Sequence, residues 1–242
     1  MRMLVLESAT GVAGAAVAED GILVCEINLA SGRTHAQQLL PIVDQCLTLA
    51  QWEKASLDML GCVCGPGSFT GVRIGVSTAK GIAMGLNIPV IALNTLEVLA
   101  AGNLAEREAL IVTLIDARRS EVYAAAYRSD GQTLCEVLPP CTMPLSELLS
   151  LDVIQEASKL LFCGDGVAPN RDMLDALGSR SMIASSLNMH QRSAAAAYLA
   201  HTYAMQDKAI SANMLLPLYI RASAAQTLKQ RGLPDPGDTI IQ

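Results

Sequence analysis

The 242-residue sequence predicts an α/β chain built from two similar halves, each a mixed sheet flanked by helices. Three observations predict this. The run Met59-Leu60-Gly61-Cys62-Val63-Cys64 has the length and composition of a buried strand; the glycine-rich Gly65–Gly75 follows, then Val76–Gly85 with helical character, so strand, tight turn and helix follow in succession. The chain opens with three strand-like runs joined by turn residues. That opening then recurs: at one constant shift Leu4 meets Leu114, Ala15-Ala16 meets Ala125-Ala126, Asp20-Gly21 meets Asp130-Gly131 and Cys25-Glu26 meets Cys135-Glu136.

Taken in order, Met3–Leu6, Val12–Ala18 and Ile22–Leu29 are expected strands. Thr10-Gly11 turns the first, and Glu19-Asp20-Gly21 makes a hairpin between the others. Thr34 with Gln37 three positions on has the form of a capping box, opening a helix that carries Leu39, Leu40, Val43, Cys46, Leu47 and Ala50. Pro41 falls inside that helix and is expected to bend it. Its apolar residues cover more than one narrow stripe, so it is expected to face both its own core and something else. Beyond the glycine segment come a strand at Ile88–Leu93 and a helix at Thr95–Ala101, stopped by Gly102-Asn103.

The second half repeats the scheme. Strands are expected at Leu110–Asp116, Val122–Arg128 and Thr133–Leu138, a short helix at Pro144–Leu149, and a strand at Leu160–Cys163 before the turn Gly164-Asp165-Gly166. Ser193–Met205 is an alanine-rich helix that crosses back, and Pro217–Arg221 an extended piece. The expected organisation is 1–105, 106–221 and a mobile tail over 222–242, where Pro234, Pro236 and Gly237 cluster.

Composition narrows the function. Hydrophobic residues make up 51% and charged residues 17%, the balance of a packed globular chain rather than a disordered one. The net charge of −6 argues against a protein that holds RNA alone, because phosphate neutralisation dominates such binding. Seven cysteines, an odd number with no Cys-x-x-Cys, read as reduced thiols in a cytoplasmic protein; Cys62 and Cys64 are the close pair and share a strand face. No run approaches a membrane span and no leader pattern opens the chain.

The chemistry-bearing candidates are few. Gly65, Gly67 and Ser68 form a turn whose following helix start suits an anion, or simply fixes how that helix lies. Ser68 or Thr70 caps it. No Gly-Lys-Ser/Thr completes a phosphate loop, since Gly71-Val72-Arg73 stands there. Gly71, Gly75 and Ala79 share one helix face, with Gly81 and Gly85 a second small-residue pair; such faces serve internal close packing or a partner helix. Glu7 ends the first strand, as a magnesium-holding carboxylate or a solvated acid; Asp116 ends the equivalent strand, an acid for Arg118 or Arg119. Neither His-Glu-x-x-His nor a nucleophile elbow is present.

The segment Gly65-Pro66-Gly67-Ser68-Phe69-Thr70-Gly71-Val72-Arg73-Ile74-Gly75, continued by Ser77-Thr78-Ala79-Lys80-Gly81, resembles the TsaB (YeaZ) family, the accessory subunits of bacterial tRNA threonylcarbamoyladenosine synthesis. Arg33-x-His35 with Leu39-Leu40-Pro41, Asp116-Ala117-Arg118-Arg119-x-Glu121-Val122-Tyr123, Gly164-Asp165-Gly166 and Pro217–Arg221 follow in the family's order. The resemblance, like the duplication, implies the actin-like, sugar-kinase-like ATPase fold of two ribonuclease-H-like halves. It implies a non-catalytic subunit without a cofactor or metal of its own, a nucleotide being admitted only at a complex interface. The implied partners are a TsaD-like catalytic subunit, which transfers threonylcarbamoyl to the adenosine next to the anticodon, and a TsaE-like ATPase. A homodimer would use the same helical face, and tRNA would be met only through the complex. It places partner contacts at His35, Leu39, Leu40, Val43 and Leu47 on one helix and at Gly71, Gly75, Thr78, Ala79 and Ile82 on the next. TsaD uses a His-x-x-x-His helix for metal; Leu39 stands where the second histidine would be. The other readings are a nucleotide-hydrolysing enzyme of the same fold, which would need Glu7, and a metallopeptidase.

Overall fold

In a computed structural model, which describes residues 1–31 and 34–220, the two halves share one sheet plan. β1 (Arg2–Glu7), β2 (Ala13–Glu19) and β3 (Ile22–Leu29) form an antiparallel meander. After helix α1 (His35–Ala50), β4 (Met59–Val63) joins β1 in parallel; after α2 (Phe69–Leu86), β5 (Val90–Leu93) joins β4, giving the order β3-β2-β1-β4-β5. Helix α3 (Thr95–Ala101) leads into the second half. There β6 (Leu110–Asp116), β7 (Glu121–Ser129) and β8 (Leu134–Pro144) form the second meander. Short helices α4 (Leu145–Leu149) and α5 (Asp152–Gln155), then β9 (Leu160–Cys163), α6 (Arg171–Asp175) and β10 (Ser181–Ile183), complete the order β10-β9-β6-β7-β8. Read from the meander edge, both sheets run third, second, first, fourth, fifth strand. This is the doubled ribonuclease-H-like plan of the actin-like fold.

Helix α7 (Ser193–Ala204) returns to the first half and packs on β1, β2, β3 and β5. Its start is tied there: Asn28 Oδ1 accepts from the backbone N–H (3.1 Å) and the hydroxyl (2.7 Å) of Ser193, and Glu26 pairs with Arg192. The chain then crosses the ends of β4 and β5. Ile210 exchanges backbone hydrogen bonds with Val90 (2.9 and 2.8 Å), and Leu218 N–H donates to the Cys64 carbonyl at 2.7 Å. The first core is aliphatic, with Leu4, Leu6, Leu39, Leu60 and Ile91 fully buried, and the second packs Phe162 among leucines and valines.

The structure departs from the sequence reading in several places. Thr34 does stand before α1, but its side chain makes no capping bond, so the capping box does not form; α1 runs on through Pro41 to Ala50. Helix α2 runs from Phe69, and of the two cap candidates, Ser68 and Thr70, it is Ser68 that caps it, its Oγ accepting from Gly71 N–H at 3.2 Å. Strand β8 continues through Pro139-Pro140, which an edge strand tolerates because one side needs no backbone donor. Helices α5 and α6 and strand β10 go unread in the sequence. The hairpin-tip match holds, with Gly21 and Gly131 both at positive φ (81° and 94°). Arg33, Arg221 and the tail expected over 222–242 lie outside the described residues.

Candidate functional site

A cleft of about 690 Å³ opens between the halves. One wall is the turn after β1 (Ala9, Thr10, Gly11), the first residue of α1 (His35) and the glycine segment (Gly67 to Thr70). The other is the end of β6 with its turn (Ile115 to Arg118), Tyr123 and Asp165. Both sheets therefore present the carboxyl ends of their first strands to one space.

The glycine segment is shaped by close backbone approach. Gly65 holds φ +116°, where a Cβ would stand 2.7 Å from the Leu218 carbonyl oxygen; a Cβ on Gly67 would run into the Ala9 carbonyl. Ser68 N–H donates to that same Ala9 carbonyl at 2.7 Å, which fastens the segment to the turn after β1. The sequence left this segment open between an anion site and a fixing turn, and these contacts favour the turn. His35 joins the same network: its Nε2–H donates to the Thr10 carbonyl at 2.6 Å, while Nδ1 is buried with no partner among the described residues. Thr10 hydroxyl in turn donates to Gln191 Oε1 at 2.8 Å.

Glu7 is neither of the things the sequence suggested. It is fully buried rather than solvated. Burial pushes its carboxyl up to about 8, although Oε1 accepts from Ala9 N–H at 2.7 Å and so favours the ionised form. Oε2 is buried without a partner. A carboxyl sealed in the core, with Oε1 taken by Ala9 N–H, presents no oxygen to a hydrated magnesium in the cleft. The neighbouring turn spends the Ala9 carbonyl on Ser68 and the Thr10 carbonyl on His35. The residues here do not fit the magnesium–nucleotide that the actin-like fold implies. Among the described residues no group of three or more His, Cys, Asp or Glu side chains is arranged for a metal ion.

Across the cleft, Asp116 stands 3.3 Å from Arg118 Nη1, as its spacing suggested. Asp165 is half-buried against it; burial and the Asp116 charge raise its carboxyl, while the 2 residues are joined by Asp116 N–H donating to Asp165 Oδ1 at 3.1 Å. Burial raises the Tyr123 hydroxyl as well. Arg118, Arg119 and Ser120 all hold left-handed backbone, at φ 62°, 57° and 62°. Above the cleft, Phe69 stacks on Tyr219 with ring centres 5.6 Å apart; Arg73 lies 3.7 Å over Phe69, and its Nε–H donates to Tyr219 Oη at 2.8 Å. Sequence reasoning missed this cluster, because Arg73 and Tyr219 are 146 residues apart.

The expected partner face needs correction. Leu39, Val43 and Leu47 are at most 3% exposed and belong to this chain's own core, as does Ala79. Gly71 and Gly75 are also buried: a Cβ on the first would meet the Ser8 carbonyl, and on the second the Ser8 hydroxyl, which itself donates to the Gly71 carbonyl at 2.9 Å. That stripe of α2 is small because the turn after β1 lies against it. Leu40 is exposed, and His35, Thr78 and Ile82 are partly so. The other small stripe, Ser77, Gly81 and Gly85, faces outward, with nothing within 4 Å of a Cβ on either glycine.

Over residues 28–229 the chain matches the family model of TsaD, tRNA N6-adenosine threonylcarbamoyltransferase. It is 29% identical over 228 residues to the tRNA threonylcarbamoyladenosine biosynthesis protein TsaB of Bacillus subtilis (strain 168), covering 93% of this chain and 96% of that one. It is 38% identical over 131 residues to the TsaB of Escherichia coli (strain K12), covering 54% of this chain and 56% of that one. YeaZ from Pseudomonas aeruginosa superposes with a TM-score of 0.75 at 26% identity, over 90% of this chain and 99% of that one. Another Pseudomonas aeruginosa structure, described as similar to peptidase YeaZ, gives 0.78 at 27%, over 91% and 99%. The chain belongs to the TsaD family of tRNA N6-adenosine threonylcarbamoyltransferase. Within it, the similarity runs to the proteins called TsaB or YeaZ.

Proposed function

We propose that this chain is a non-catalytic, cytoplasmic subunit that supports a TsaD-like partner in forming N6-threonylcarbamoyladenosine in tRNA. A TsaE-like ATPase joins the pair, and in the absence of the catalytic subunit a second copy takes the same face. The similarity to TsaB proteins along the whole chain supports the pathway. The buried, proton-holding Glu7 supports the non-catalytic role, since the carboxylate that a nucleotide-hydrolysing reading requires is not available to a metal. No helix among the described residues is long and apolar enough to cross a membrane.

The observation that carries the partner face is the split of α2 into two small stripes. The inner one is filled by Ser8, whereas Ser77, Gly81 and Gly85 leave open space, with Met84 exposed on the same helix. An outward stripe lacking side chains lets a second helix approach closely, at a propensity cost of about 1 kcal/mol per glycine that packing within the chain does not offset. On this reading partner contacts fall in 1–105 and the second half, 106–221, closes the cleft.

Co-elution with the TsaD-like subunit on a sizing column tests this. Gly81→Trp is expected to abolish co-elution without lowering the urea midpoint of the chain, because nothing within the chain occupies that space. Undiminished co-elution of Gly81→Trp would reject the face, and no complex with the unaltered chain would reject the subunit role.

A further inference from the structure

The chain is sparing with aromatic residues, which make up 3% of it, and has two phenylalanines. One, Phe162, is fully buried in the second core. The other, Phe69, is 51% exposed on the lip of the cleft, and Tyr219, stacked against it, is 46% exposed. Their placement is held: Arg73 lies over the Phe69 ring and is hydrogen-bonded to the Tyr219 hydroxyl. Opposite Phe69, on the other lip, stands the turn that carries Arg118 and Arg119. Its three successive left-handed residues form the tight connection between β6 and β7. Arg118 has a side chain that is 87% exposed, although it is shared with Asp116.

We propose that this cleft mouth contacts single-stranded RNA, one base stacking on Phe69 and the adjoining phosphates meeting Arg118 and Arg119. A half-exposed aromatic pair flanked by guanidinium groups is the chemistry that single-stranded nucleic acid recognises, since every base has a π-face and every linkage a negative charge. An acidic peptide would satisfy the arginines and leave the ring unused. The acids deeper in the cleft, Asp116 and Asp165, repel phosphate, which confines the anionic contacts to the mouth and disfavours a free triphosphate below it. With a net charge of −6 the chain holds RNA weakly alone, so the contact works as one part of an assembly. Only the choice of RNA rests on the proposed function.

The test is fluorescence anisotropy with a fluorescein-labelled anticodon stem-loop RNA. The titrant is the full chain bound to its TsaD-like partner, after a sizing column has shown the complex. Phe69→Ala is expected to weaken binding about 5- to 140-fold, the loss of one stacked base. The double variant Arg118→Ala with Arg119→Ala is expected to lower the slope of log K against log salt by about 1.4, two single-strand phosphates. Free ATP is expected not to compete. Phe69→Ala gives up its contacts with Tyr219 and Arg73 and lowers the urea midpoint, so an unchanged slope m confirms the fold of each variant. Wild-type affinity and salt slope in these variants overturn the proposal while the subunit role stands, and competition by ATP overturns it in favour of a mononucleotide site. If no complex forms, the subunit role fails; the same titration on the chain alone at high micromolar concentration then decides, no RNA binding there overturning the proposal.

Discussion

Four glycines of α2 should respond oppositely to the same substitution. Alanine in a helix interior is favoured over glycine by about 1 kcal/mol. At Gly81 and Gly85 a Cβ meets nothing, so each alanine variant should gain about 1 kcal/mol and raise Tm by about 2–4 °C for a chain of this size. At Gly71 the obstacle is the Ser8 backbone carbonyl, which moves only with the turn after β1. Overpacking there costs about 1–3 kcal/mol, and for a backbone obstacle the upper part of that range applies; less the propensity gain, Gly71→Ala should lose about 2 kcal/mol. At Gly75 the obstacle is the Ser8 hydroxyl, which can rotate away by giving up its bond to the Gly71 carbonyl. That bond is worth about 1 kcal/mol, so Gly75→Ala should be near neutral. Urea unfolding of the four variants, with the slope m held constant, reads the order directly. A Gly71→Ala as stable as the unaltered chain, or a destabilised Gly81→Ala, would refute the assignment of inner and outer stripes.

Other predictions follow from single groups. The folded Glu7 carboxyl keeps its proton to about pH 8, whereas unfolded it releases near its ordinary value of 4.5. Between those values the unfolded chain binds fewer protons, so this group's effect is to lower stability as pH rises, by about 1.4 kcal/mol per unit. Glu7→Gln keeps the acceptor for Ala9 N–H and should therefore gain on the unaltered chain progressively from about pH 5 to about pH 8; parallel stability curves would contradict the buried acid. Ser68→Ala and Asn94→Ala each remove a cap bond, to Gly71 N–H and Leu96 N–H, and should each lose about 1 kcal/mol in urea unfolding. Thr34→Ala, which loses no side-chain cap bond, should change the midpoint little.

What the sequence disclosed was local and periodic. β3, α3, β6 and β9 lie at the bounds read for them, because turn residues bracket each apolar run and Asn94 and Gly102 close the helix at both ends. The duplicated meander was legible from its repeated hairpin turns. Periodicity also grouped Gly71, Gly75 and Ala79 on one face, but it carries no information on which face is inward; that depends on the turn after β1, some sixty residues away. Glu7 illustrates the same limit: its place at a strand end does not announce the full burial that raises its carboxyl. α5, α6 and β10 are too short to show a period. Phe69, Arg73 and Tyr219 meet only because the segment after α7 crosses the end of β4, which no spacing announces.

The most direct test of the account is tRNA modification reconstituted from the TsaD-like subunit, the TsaE-like ATPase and the adenylate-forming enzyme, with this chain added or withheld. The account predicts that threonylcarbamoyladenosine forms only when the chain is present and fails with Gly81→Trp, which remains folded but cannot dock. Full modification without the chain would contradict it.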